Sequence, residues 1–350
     1  MHQHKDTFGR RAFLKAGALA AAATTVRAED AAPAKAAPKH ITTAKTMPER
    51  RFGRTGYSMP VFGHGGSAMF KGDIAYYGVD LPPLEARIAM VRDGYEKGIR
   101  YFDTARIYGE SEEIMGAALK DVRENVFIAS KAMVAEVDRV RSSVERSLEA
   151  LGMDYMDSMQ IHGPIIERLG YDGCMPIYEE LAKMRDEGLF RFIGITGHSR
   201  FEEMYKLIDT GLLDTLLIEF GYFHKGYNTR HSDEQVAWRE KCVARAAEVD
   251  TGVVAMKVLG AWIYSHNSKN LIPDFDEEKR ARLAAAAIRH VLADERIQVL
   301  NIGVSLPEDI NANLKILNAD TTYTDDDKAL LAEFAERAYA HPMVQELKVV

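Results

Sequence analysis

The chain has 350 residues, 47% hydrophobic and 28% charged, with 45 Lys+Arg against 52 Asp+Glu and a formal net charge of −7. Such a composition supplies a large core, enough for one big α/β domain or two smaller ones. An acidic protein with no basic run repels phosphate backbones, which argues against nucleic acid as a partner; two cysteines, Cys174 and Cys242, are too few for a disulfide framework and leave at most one bridge open.

The first segment differs in kind from the rest. "FGRRAFLKAGALAAAATTVRAED" has a basic front, an apolar Ala-rich run from Ala16 to about Val26, and small residues at Val26 and Ala28. The run falls short of the roughly 20 apolar residues that a bilayer span needs, so no stable membrane span is expected. It reads as a cleavable export signal over residues 1–28. Arg10–Arg11 with Ala12, Phe13, Leu14 and Lys15 resembles the twin-arginine signal, which sends folded cargo across a bacterial membrane. That resemblance implies the twin-arginine translocase as a partner and a periplasmic location. Removing Lys5, Arg10, Arg11, Lys15, Arg27 and Asp6 leaves 45 − 5 = 40 bases and 52 − 1 = 51 acids, a mature charge of −11. Residues 29–48, rich in Ala, Pro, Lys and Thr, read as a flexible linker before a domain over 49–350.

From Arg51 a regular rhythm begins. "RRFGRTGYSMPVFG" predicts a hairpin turning at Thr55–Gly56 and leading into a first strand, "FGHGG". Seven short apolar runs follow: 99–103, 126–131, 155–162, 191–197, 215–221, 252–257 and 299–304. Between them lie helical patterns, such as Ile88, Val91 and Tyr95 before the stop at Gly98. Another is Val137, Val140, Val144, Leu148 and Leu151 before Gly152. Strands alternating with helices imply parallel pairing, and eight such units in about 260 residues favour a closed (β/α)8 TIM barrel with an N-terminal β-hairpin cap. An open dinucleotide-binding sheet fits less well, because "GHGGSAMF" lacks the helix that should follow its glycines.

Chemistry on such a barrel sits at the C-terminal ends of the strands. Asp103 ends the second strand, Lys131 the third and His162 the fourth, while Tyr108 lies in the loop after the second. A tyrosine, with a pKa of about 10, donates a proton poorly near neutrality. A neighbouring ammonium stabilises the phenolate, a carboxylate keeps that ammonium charged, and an imidazole steers the substrate oxygen. These four residues suit protonation of an oxygen while a carbonyl is reduced. No metal ligand set is expected.

"FDTARIYGESEEIMGAALK", "FIASK" and "MQIHG" resemble the aldo-keto reductase superfamily, whose tetrad of Asp, Tyr, Lys and His matches Asp103, Tyr108, Lys131 and His162. The likeness runs from about Glu49 to Leu317 and implies a nicotinamide dinucleotide across the barrel top. It implies contact of the nicotinamide amide with Thr196 in "GITGHS", although Gly197 stands where the family usually has Asn and Leu217 where it often has Gln. Met256 takes the place of a stacking aromatic ring, and Lys257 is set to reach the pyrophosphate. In "IGVSLPEDINANL", Ser305 and Asn313 correspond to the adenosine-phosphate site. The family leans to NADP(H), yet Gly303, Ser305 and Asp309 replace the usual Lys or Arg, which predicts weak discrimination or a preference for NAD(H). Three long loops offer Phe70, Tyr76, Tyr77, Trp262 and Tyr264 as aromatic walls for a small carbonyl or alcohol substrate. The rival readings are a cofactor-binding sensor subunit with little turnover and a cofactor-free lyase or isomerase on the same barrel.

Overall fold

The computed structural model describes residues 47–69, 80–226, 229–261, 263–264 and 267–350. The segment expected to be an export signal, the expected 29–48 linker up to residue 46, and Phe70, Tyr76, Tyr77 and Trp262 lie outside the described residues.

The hairpin forms as its turn residues predict. Strand β1 (Glu49–Arg51) pairs antiparallel with β2 (Ser58–Pro60), Arg50 opposite Met59. A 3-10 turn at Gly53–Thr55 ends on Gly56, whose φ of 80° is reached cheaply only by glycine.

Eight parallel strands then close on themselves. They are β3 (Phe62–Gly65), β4 (Tyr101–Asp103), β5 (Phe127–Ala132), β6 (Met156–Ile161), β7 (Phe190–Gly197), β8 (Thr215–Glu219), β10 (Gly252–Met256) and β11 (Val299–Gly303). They run in that order around the barrel, and β11 pairs back onto β3. The two-residue β9 (Thr229–Arg230) stands outside the barrel and pairs with β12 (Lys348–Val349). A helix separates each barrel strand from the next: α1 (Leu84–Glu96), α2 (Ser111–Leu119), α3 (Val140–Leu151), α4 (Gly163–Asp186), α5 (Phe201–Asp209) and α6 (Asp233–Glu248). After the short α7 (Ser268–Leu271) come α8 (Glu277–Leu292), α9 (Pro307–Leu317) and α10 (Asp325–Ala340). The predicted (β/α)8 barrel and its hairpin cap are therefore observed. Among the described residues no helix is long and apolar enough to cross a membrane.

Period-two alternation sorts each strand's side chains. One set, including Phe102, Ile128, Met159 and Ile195, packs outward against the helices. The other faces inward and forms a plug with the hairpin, where Phe52, Tyr57 and Met59 meet Tyr101, Phe127, Leu217, Val254 and Val299. Phe52 sits edge-on to Phe127 at 5.4 Å and to Tyr101 at 6.0 Å. The bottom of the barrel is thus sealed by aromatic rings, with the Tyr57 hydroxyl tied to the buried Asp157 and to Arg191.

One helix-face residue departs from expectation. Val137 lies in a separate 3-10 turn and is 39% exposed, because α3 itself starts only at Val140. Gly152 ends α3 as predicted, with φ at 59°. Cys174 and Cys242 are both buried free thiols, so the bridge left open by the sequence is not made.

Because Phe52 is fully buried where three rings meet, Phe52→Ala should cost about 3–5 kcal/mol of stability. Urea unfolding followed by circular dichroism measures it, and a loss below about 1 kcal/mol would contradict the plug.

Candidate active site

At the top of the barrel the four sequence-predicted groups meet. Asp103 ends β4 and faces Ala129 across the ladder, so Lys131, two residues farther along β5, reaches back over the strand end. Its Nζ donates to Asp103 Oδ1 at 2.6 Å and to the Thr104 carbonyl at 2.7 Å. Both side chains are almost wholly buried. Burial raises the Asp103 carboxyl above the ordinary carboxylate range and lowers the Lys131 ammonium, while their contact offsets part of each shift. Lys131 therefore holds its proton less firmly than an exposed lysine does.

Tyr108 is delivered by a tight turn. Thr104 N–H donates to Ala129, Tyr108 N–H to Ala105, and Ser111 N–H to Tyr108, folding the loop directly onto the start of α2. The phenol ring is partly exposed, with Lys131 Nζ 5.0 Å from its centre. His162, the residue before α4, stands edge-on to that ring at 6.2 Å. Burial first, and Lys131 second, push the His162 pKa down to about 3, so its imidazole is neutral near pH 7. A neutral imidazole orients an oxygen without competing as its acid.

Three supporting residues escaped the sequence reading. Gln160 of β6 donates to Asp103 Oδ2 at 3.4 Å, and the Asn301 side chain of β11 also hydrogen-bonds Asp103. Glu112, fully buried on α2, accepts from Ser130 Oγ at 2.7 Å and from Arg106 at 2.6 Å. It ties the Tyr108 loop to β5 and adds negative charge near Lys131. The signal for Gln160 and Asn301 was strand parity: both are inward positions at the strands' C-terminal ends. Glu112 gave no such signal, since its helix position reads as an ordinary first-turn acid.

A cleft of about 750 Å³ runs from this tetrad across the barrel top. Asp103, Tyr108 and His162 line one end, with Ile107, Pro164, Glu167, His198 and Ser199. Leu217, Met256 and Lys257 line the middle; Ser305, Asp309, Asn313 and Ile316 line the far end. Two sequence-predicted residues fall elsewhere. Thr196 is buried within β7 and does not line the cleft, since the chain beyond it places His198 and Ser199 on the wall instead. Tyr264 is no pocket wall: its ring is buried beside Phe223 and Phe334 in an apolar cluster beneath α8 and α10.

The far end is altered by its own carboxylate. Asp309 Oδ2 accepts from the N–H groups of both Ser305 and Leu306 at 2.9 Å, and Ser305 Oγ donates to the Ala68 carbonyl. Two N–H donors immediately before α9 that would otherwise face an anion are already engaged.

Within the described residues no group of His, Cys, Asp or Glu has the spacing of a metal site. A family model described as the aldo/keto reductase family matches residues 80–336. The L-galactose dehydrogenase of Arabidopsis thaliana is 31% identical over 195 residues, 51% of this chain and 57% of that protein. An uncharacterized oxidoreductase of Bacillus subtilis is 25% identical over 72% of this chain and 89% of its own length. The chain thus spans little more than half the length of some curated relatives it matches. The holo form of an aldo-keto reductase from Bacillus halodurans superposes with a TM-score of 0.64 at 18% identity, covering 82% of this chain and 96% of that one.

The depressed His162 pKa has a consequence for stability. The unfolded chain takes up a proton near pH 6.5 that folded His162 refuses until about pH 3. Stability should therefore fall as pH drops from about 6.5 toward 3, by at most about 1.4 kcal/mol per unit from this group. His162→Gln should flatten that slope in denaturant titrations at pH 7, 6 and 5; an unchanged slope would show that the imidazole is not buried neutral.

Proposed function

The chain belongs to the aldo/keto reductase family, and from that premise we propose that it is an exported oxidoreductase acting on an aldehyde, ketone or sugar carbonyl, or on the corresponding alcohol. The observation that carries this is the single cluster of Lys131 held by Asp103, Tyr108 beside that ammonium, and His162 at the edge of the phenol.

The cleft suits a nicotinamide dinucleotide. It opens on Asp103, Tyr108 and His162, and its lining also includes a buried Asn313 with Ala284, Ala312 and Ile316. When bound, such a cofactor supplies or accepts the hydride at the substrate carbon. Met256 and Leu217 offer it an apolar, polarizable wall, Lys257 a cation for its phosphates, and Asn313 a polar contact for its base. Tyr108 gives its phenolic proton to the carbonyl oxygen, and the adjacent ammonium stabilises the phenolate that remains. In the reverse direction the phenolate takes the alcohol proton back. Neutral His162 aligns the oxygen, and Asp103 keeps Lys131 in place.

With the Ser305 and Leu306 N–H groups taken and a negative charge added, Asp309 favours a cofactor without a 2′-phosphate, so NAD(H) is the proposed carrier or an equal partner of NADP(H). The basic front with Arg10–Arg11 supports export through the twin-arginine translocase to the periplasm, and the barrel would load its cofactor before crossing.

Tyr108→Phe should lower carbonyl reduction by about 10²–10⁴-fold while leaving dinucleotide binding intact by fluorescence titration. Unchanged turnover would favour the sensor reading instead. Protein drawn from the periplasm should carry bound dinucleotide, mainly NAD(H), in a mass-spectrometric assay of the extracted ligand. Apo protein there would refute loading before export, and a hundredfold tighter hold on NADP(H) would refute the role given to Asp309.

A further inference from the structure

We propose that Glu167 selects the substrate, favouring neutral hydroxyl-bearing carbonyl or alcohol compounds over anionic ones, a reading that rests on the reductase function above. Its place follows from the fold. His162 ends β6 and α4 begins at the next residue, so Glu167 lies five residues on, about 7.5 Å along the helix at 1.5 Å per residue. Pro164, on the same helix face three residues earlier, lines the cleft with it, as do Tyr108 and His162. The carboxylate is anchored from the neighbouring strand end, where Ser199 Oγ donates to Glu167 Oε1. Gly163 makes this bridge short: a Cβ there would stand 3.1 Å from the Thr196 carbonyl and from Gly197, so α4 leaves directly against the end of β7.

At this mouth Glu167 is an exposed carboxylate that lines the cleft beside Pro164, His198 and Ser199. Lys257 is the only lysine or arginine lining the cleft among the described residues, and it belongs to the middle of the cleft, after β10. Lys131 is buried and held by Asp103, Arg106 by Glu112, and Arg168 leans toward Glu136. A phosphate or carboxylate on the substrate would meet the like charge of Glu167. A hydroxyl would instead find an acceptor, because only one carboxylate oxygen is taken up by Ser199. The contact is exposed to solvent, so the discrimination expected is about tenfold rather than absolute.

The test uses the full chain with saturating dinucleotide and three aldehydes: glyceraldehyde, its 3-phosphate, and propanal, which lacks hydroxyls. The wild type should show a higher kcat/KM for glyceraldehyde than for the phosphate. In Glu167→Gln the ratio of the two should shift by about tenfold toward the phosphate. The KM for glyceraldehyde should rise more than that for propanal, and added salt should no longer improve turnover of the phosphate. Ser199→Ala, which frees the carboxylate without removing it, should keep the wild-type charge preference. A ratio unmoved in Glu167→Gln, or a wild type that prefers the phosphate, overturns the proposal while the reductase reading stands. Absence of turnover with all three aldehydes, with Tyr108→Phe no different from wild type, overturns both.

Discussion

The contact between Lys131 and Asp103 is the constraint on which the site depends. A charged pair with both members almost fully buried is costly, since each has left water. It persists because the barrel surrounds it with further donors and acceptors: the Thr104 carbonyl on the ammonium, and Gln160 and Asn301 on the carboxylate. Four strands contribute, β4, β5, β6 and β11, and β11 lies beside the others only because the sheet closes. Opening the barrel would strip Asn301 away and admit water to the pair. The tetrad is therefore a property of closure as much as of its four residues.

Closure also divides the molecule's labour from bottom to top. Below, Phe52, Tyr57, Tyr101 and Phe127 fill the interior with rings and provide stiffness, the Tyr57 hydroxyl donating to Asp157 and accepting from Arg191. Above, the inward positions become Asp103, Lys131, Gln160 and Asn301. Stiffness matters here because the phenol and the ammonium must stay within a few ångströms for one to tune the other, and a cation's influence on a neighbour falls as water intervenes. The clamp of Arg106, Glu112 and Ser130 does the same work for the Tyr108 loop, anchoring the only tetrad member that is not on or directly at the end of a strand.

The two ends of the cleft follow opposite electrostatic rules. Near the tetrad, neutral His162 and the Lys131–Asp103 pair leave little net charge, and Glu167 adds a single negative one. At the far end, Asp309 satisfies the start of α9 from within, so the helix keeps its dipole partner whether or not a ligand is present. Lys257 sits between them with φ at 61°, a left-handed conformation that a lysine adopts only when the surrounding loop fixes it.

Much of this could be read in the sequence. Short apolar runs ending in polar residues located all eight barrel strands, because a strand buried on both faces must be apolar along its length and can turn polar only where it meets the cleft. The same rule placed Asp103, Lys131 and His162 on one rim, and Gly56 and Gly152 marked their turns through a backbone angle that other residues resist. Side-chain partners were not legible. Tyr264 looked like a pocket ring because aromatic residues in long loops serve walls and cores alike, and only the packing of α8 and α10 around it decides for the core. Thr196 was expected, by resemblance, to meet a nicotinamide amide, yet it is buried in β7 while His198 and Ser199 line the cleft. Linear order thus determined the fold class and which titratable groups gather at one rim, since both depend on local periodicity and residue chemistry. Which oxygens hold the ammonium and where Glu167 is anchored were decided by tertiary structure, because hydrogen bonds between residues far apart in the chain have no local trace.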